Sequence, residues 1–173
     1  DEAHGQVSPN TTNAAANPSV TLSTAQLETL KSAAKAAGTY FPTGKCPESL
    51  EETKGNPAYV EGPCELSYNG GSGNSEKSPG FLVLVNGTFK LNGNAEFFGS
   101  IYAVNAQASA GVVVEAHGNS GITGGIDVDG NGGISFGSSK ENFVYNDSAG
   151  EGLKGFAGAA ATRNSFRVLP ITE

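Results

Sequence analysis

The chain has 173 residues, enough for one domain with a real core, and 25 of them are glycine, about twice the usual share of roughly 7%. Glycine costs about 1 kcal/mol per helical site relative to alanine, so a helix bundle is excluded, and the absence of a three-residue glycine period excludes collagen. Ten basic against 17 acidic residues give a formal charge of −7. The lysines and arginines are spread along the chain rather than gathered in the basic stripe that nucleic acid requires.

Residues 1–20 read as an extended polar leader of low complexity, with Val7 the one large apolar residue before Val20. Its start, Asp1-Glu2-Ala3-His4, is polar and reads as a mature N-terminus left after processing. Residues 21–173 read as a single β-rich domain. It opens with a helix over about 24–37: Ser23 and Gln26 form a capping box, Leu22 and Leu27 a hydrophobic staple, and Gly38 stands where a left-handed cap belongs. Leu27, Leu30, Ala33, Ala34 and Ala37 recur at helical spacing and predict a narrow face packed on a sheet or another helix. No apolar run reaches the 18 or more residues a membrane span needs.

Residues 39–80 read as an irregular region of short strands broken by five prolines. Cys46 and Cys64, the two cysteines of the chain, predict a disulfide that would place the protein outside the cytoplasm. A zinc site does not fit, since His4 and His117 give no ligand-pair spacing with them.

From Pro79 onward the chain repeats. Gly93-Asn94-Ala95-Glu96-Phe97-Phe98-Gly99-Ser100-Ile101-Tyr102-Ala103 aligns without a gap on Gly118-Asn119-Ser120-Gly121-Ile122-Thr123-Gly124-Gly125-Ile126-Asp127-Val128, 25 residues on. A half-period echo follows at Gly130–Gly137. A period in this range marks repeat architectures, and the pattern predicts a right-handed parallel β-helix or solenoid. Phe97, Ile101 and Ala103 would lie inside, under Ile122, Ile126 and Val128, with glycines 93, 99, 118, 124 and 130 at the corners. Residues 142–145 and 165–170 would supply closing strands around a small Gly/Ala-rich segment, residues 155–161. An antiparallel β-sandwich of hairpins is the alternative.

Little in the sequence points to chemistry. Asp127-Val128-Asp129-Gly130-Asn131 matches the first half of a calcium loop, making Asp127, Asp129 and Asn131 metal candidates. Position twelve is Ser138 instead of a carboxylate, so the same residues fit a tight turn. Nucleophile elbows, phosphate-cradling loops and paired histidine ligands are all lacking, and charges between Phe81 and Ser139 are sparse. The expectation is a protein that is not an enzyme and needs no cofactor. Sequons at Asn10, Asn86 and Asn146 are glycosylation candidates.

The run Pro79–Thr88 through Leu91–Ala95 and Phe98–Tyr102, then Gly124–Gly132 and finally Asn164–Arg167, resembles the C-terminal β-rich region of pilus-assembly (PilX-like) surface proteins of actinobacteria, over roughly residues 39–170. That resemblance implies an exported, cell-surface role in or near pilus-like filaments and carries over no catalytic residue. The chain departs from the family in lacking the apolar N-terminal helix by which type IV pilin-like subunits polymerise. The expectation is therefore a structural subunit of an extracellular filament whose partners are identical subunits, with residues 1–20 docking along a neighbour's sheet edge. A secreted monomeric adhesin or a glycan- or ice-binding solenoid is the alternative, although Phe98 aligns with Thr123 and Tyr102 with Asp127, so no ladder of identical residues forms. A carbohydrate-active enzyme would need a cluster of Asp, Glu and Arg that the sequence does not assemble.

Overall fold

In the computed structural model, the structure describes residues 21–137 and 143–145. One helix, α1 (Thr24–Ala37), is followed by ten strands: β1 (Tyr40–Phe41), β2 (Ala58–Val60), β3 (Cys64–Tyr68), β4 (Gly80–Leu84), β5 (Gly87–Leu91), β6 (Glu96–Ala103), β7 (Val112–Ala116), β8 (Gly121–Val128), β9 (Gly133–Phe136) and β10 (Phe143–Tyr145). From β2 onward they alternate between two sheets, a six-stranded one in the order β1-β2-β4-β6-β8-β10 and a four-stranded one in the order β3-β5-β7-β9. Every strand pair in both sheets is parallel. The chain is therefore a parallel β-solenoid in which each coil lays one strand in each sheet, and the hairpin sandwich is ruled out.

Stacking places each residue against its equivalent one coil on. Phe97 pairs with Ile122, Ile101 with Ile126 and Ala103 with Val128, as the 25-residue offset predicts, and all six are buried. These rows face Leu66, Phe89, Val114 and Ile134 of the four-stranded sheet, all in one apolar core. Edge-to-face contacts link Tyr68 to Phe89 along the four-stranded sheet and Phe89 to Phe97 across the two layers, with centroids 6.0 and 5.8 Å apart. Each side chain buried this fully contributes about 1.5–3 kcal/mol, so the interior rows drive the fold and the polar residues between them face out.

Two expectations need correction. Within residues 39–80 the short strands read at 58–61 and 64–68 do form, as β2 and β3, but they are more regular than expected and make a first coil stacked on β4 and β5. Gly99 and Gly124 are not at corners but inside β6 and β8, opposite each other and in line with Gly80. Their φ values are +134° and +148°, and a Cβ on Gly124 would stand 1.8 Å from the carbonyl oxygen of Gly99. Close backbone approach, rather than a turn, demands glycine there.

The first end of the solenoid is closed by residues 42–57. Leu50 of a 3-10 turn (Leu50–Thr53) enters the core, the disulfide joins Cys46 to Cys64 at the start of β3, and the Tyr68 hydroxyl donates to the Pro47 carbonyl at 3.1 Å. At the far end β10 is present as expected, and Phe136 and Phe143 stack at 5.4 Å. The leader, the small Gly/Ala-rich segment and the strand expected at 165–170 lie outside the described residues.

Candidate functional site

The two sheets present different outer faces. That of the six-stranded sheet carries α1, whose capping box and Gly38 cap form as expected. Leu30 and Ala34 are fully buried against Tyr59, Phe81, Val83 and Tyr102, with Leu22 and Leu27 beside them; Ala37, expected on this face, is exposed. The helix crosses the strands. Its 14 residues make about 21 Å at 1.5 Å per residue, matching the roughly 19 Å from β1 to β8 at about 4.8 Å per strand.

Each end of α1 is pinned. Near its C-terminus Lys31 pairs with Glu61 at 2.5 Å, and Lys31 and Lys35 sit over the Tyr40 ring, 5.7 and 4.8 Å from its centroid. The Lys31 hydrogen bond holds the Glu61 carboxyl below its ordinary range. Burial, helped by the Glu61 charge, pushes the neighbouring Tyr59 phenol up to about 12.

The N-terminal anchor is the site of interest. The Tyr102 hydroxyl accepts from the Leu22 backbone N–H at 2.9 Å and donates to Asp129 Oδ2 at 2.5 Å, while the Thr21 side chain also hydrogen-bonds Asp129. Burial, and after it the Asp129 hydrogen bond, drives the Tyr102 phenol well above its usual range. Asp127, opposite Tyr102 in the register, is raised from 3.8 to about 6, by burial first and then by the charge of Asp129. Burial also raises Asp129, against the hydrogen bonds from Tyr102 and Thr21. The last residues before the helix, Thr21 and Leu22, are thereby held at the far end of the solenoid.

Of the candidate calcium loop, Asp127, Asp129 and Asn131 are described, while Ser138 at position twelve lies outside the described residues. Asp127 and Asp129, two apart, project from one face, and Asp129 is engaged by Tyr102 and Thr21. Asn131 is exposed, Gly130 adopts a left-handed turn conformation at φ +72°, and the Asn105 side-chain amide donates to the carbonyls of Ser109 and Asp129 at 2.9 and 3.1 Å. The chain thus forms a braced turn at the position of the half-loop. Among the described residues no three His, Cys, Asp or Glu side chains gather as metal ligands.

Among the described residues, no helix lies on the four-stranded sheet. Its outer row runs Ser67, Lys90, Glu115 and Ser135 in register. Glu115 takes Lys90 at 3.1 Å and His117 at 2.7 Å; despite partial burial, these bonds hold its carboxyl below the ordinary range. Serine stands at both ends of the row and no single residue type runs along it. Of the sequons, Asn86 lies in the tight turn between β4 and β5, half-exposed, its carbonyl accepting from the Cys64 N–H at 3.2 Å. Asn10, Asn146 and His4 lie outside the described residues.

Sequence reasoning missed Tyr102 and the Lys90–Glu115–His117 group. The signal for the first was present, since the repeat alignment already sets Tyr102 opposite Asp127. No helix among the described residues is long and apolar enough to cross a membrane. Compared with known proteins, the chain matches no family model, and neither the curated proteins nor the solved structures give a significant match.

Proposed function

We propose that the chain is a structural subunit of an extracellular pilus-like filament, in which residues 1–20 dock on a neighbouring copy. The observation that carries this reading is where the body begins. Tyr102 and Asp129 pin Leu22 and Thr21 over β6 and β8, away from the end closed by the Cys46–Cys64 loop. A connector attached at that point, opposite the closed end, would suit serial assembly. The disulfide is compatible with an exported protein.

The uncovered polar face of the four-stranded sheet favours a second reading, a secreted monomeric adhesin. Electron microscopy of the purified chain with and without residues 1–20 separates the two. The filament reading expects regular fibres from the full chain and folded, discrete particles from the shortened one. Fibres that persist without the leader would remove its connector role, and discrete particles in both samples would favour the adhesin.

A further inference from the structure

One strip on the outer face of the six-stranded sheet, the cross-strand row Phe98, Thr123 and Val144, lies outside the cluster beneath α1. Val144 is 42% exposed, while Phe98 and Thr123 are half-buried. Beside this row lie Ser100 and Gly125, then Tyr102 and Asp127. Two buried polar atoms on the same side of the sheet, Ser100 Oγ and Asp129 Oδ1, have no hydrogen-bond partner, a costly condition for a buried group.

We infer that this strip is the acceptor site for residues 1–20 of a second copy of the chain. The inference rests on the filament reading and adds where the leader binds. Position supplies the first argument: Thr21, the residue that follows the leader in sequence, is held at Asp129, just past the end of β8 and beside this row. Composition supplies the second. After Asp1 and Glu2 the leader carries no carboxylate, and Gln6, Asn10, Thr11, Thr12 and Asn13 are amide and hydroxyl donors suited to Asp127, Asp129 and Ser100, while Val7 can meet Phe98 and Val144. Reach supplies the third: 20 extended residues span up to about 66 Å, whereas the six strands stack to only about 24 Å, so the leader of an axial neighbour can run the length of the body.

The test is photocross-linking of the full chain with p-benzoylphenylalanine in place of Phe98 and, separately, of Thr123, with Ser67 on the other sheet as control and circular dichroism as the check on folding. Each is mixed with heavy-isotope wild type, so that mass spectrometry separates cross-links between copies from those within one. We expect light–heavy cross-links into residues 1–20 from positions 98 and 123 and their loss at position 67. Cross-links confined to one copy, cross-links into residues 146–173, or none above the control would overturn the inference. Fibres without these cross-links would refute the acceptor strip and leave the filament standing; cross-links between copies in a sample that forms only closed dimers would do the reverse.

Discussion

Replacing Gly124 by alanine tests the stacking of coils at its tightest point. The new methyl carbon would stand 1.8 Å from the Gly99 carbonyl oxygen and 2.6 Å from its carbon, where real contacts essentially never fall below 3.0 Å, and the backbone φ there is +148°. Neither neighbour is a flexible side chain, so β6 and β8 must separate locally. The strained conformation costs about 1–3 kcal/mol, and two ladder hydrogen bonds opened at roughly 1 kcal/mol each bring the loss to about 3–5 kcal/mol. Gly118 is the control: its φ is also positive, at +68°, but the nearest atom to an added Cβ lies 3.6 Å away, so Gly118→Ala should cost only the left-handed penalty of about 1–2 kcal/mol. Urea unfolding followed by circular dichroism reads both. Equal losses at the two sites, or a Gly124→Ala loss under about 1.5 kcal/mol, would refute the close-approach reasoning.

Tyr102→Phe should cost about 1–3 kcal/mol by leaving the Leu22 N–H and Asp129 Oδ2 without their partner, and hydrogen exchange should quicken at the start of α1 while the coil interior stays protected. Asp127 has its folded pKa raised from 3.8 to about 6, so its protonated form favours folding: the contribution is fully present below about pH 3.8 and lost as pH rises through 6. The span sets a ceiling of about 3 kcal/mol, which partial exposure reduces to about 1–2 kcal/mol. Asp127→Asn should therefore be more stable than wild type by that amount at pH 8 and nearly equal to it at pH 3.5, as urea titrations at the two pH values would read. Opening the Cys46–Cys64 link, 18 residues apart, with a paired serine variant should lower stability by about 3 kcal/mol, and an unchanged denaturation midpoint would contradict its place in the end closure.

The parts of the fold legible in sequence are those where coils have equal length. In a parallel solenoid each residue pairs with its equivalent one coil on, so a gapless self-alignment is already the register. Gly93–Ala103 and Gly118–Val128 show this because a turn of similar size precedes each. Earlier coils hid: Ala58 pairs with Leu82 and Gly80 with Gly99, offsets of 24 and 19 residues, because the return stretch at residues 69–79 is much longer than that at 92–95. Strands β5 and β7 were obscured by outward-facing Lys90 and Glu115, which break an apolar run into what resembles glycine-bounded loop. The Asp127–Asn131 segment read equally as calcium half-loop or turn, because only the neighbouring coil, with Tyr102 reaching across to Asp129, decides where the second carboxylate points.

Sedimentation velocity of the full chain over a wide concentration range tests the central claim, serial assembly through the leader, most directly. The account predicts species growing with concentration far beyond the 17.5 kDa of one chain, and a collapse to the mass of a single shortened chain when residues 1–20 are removed. A single 17.5 kDa species at every concentration would contradict it.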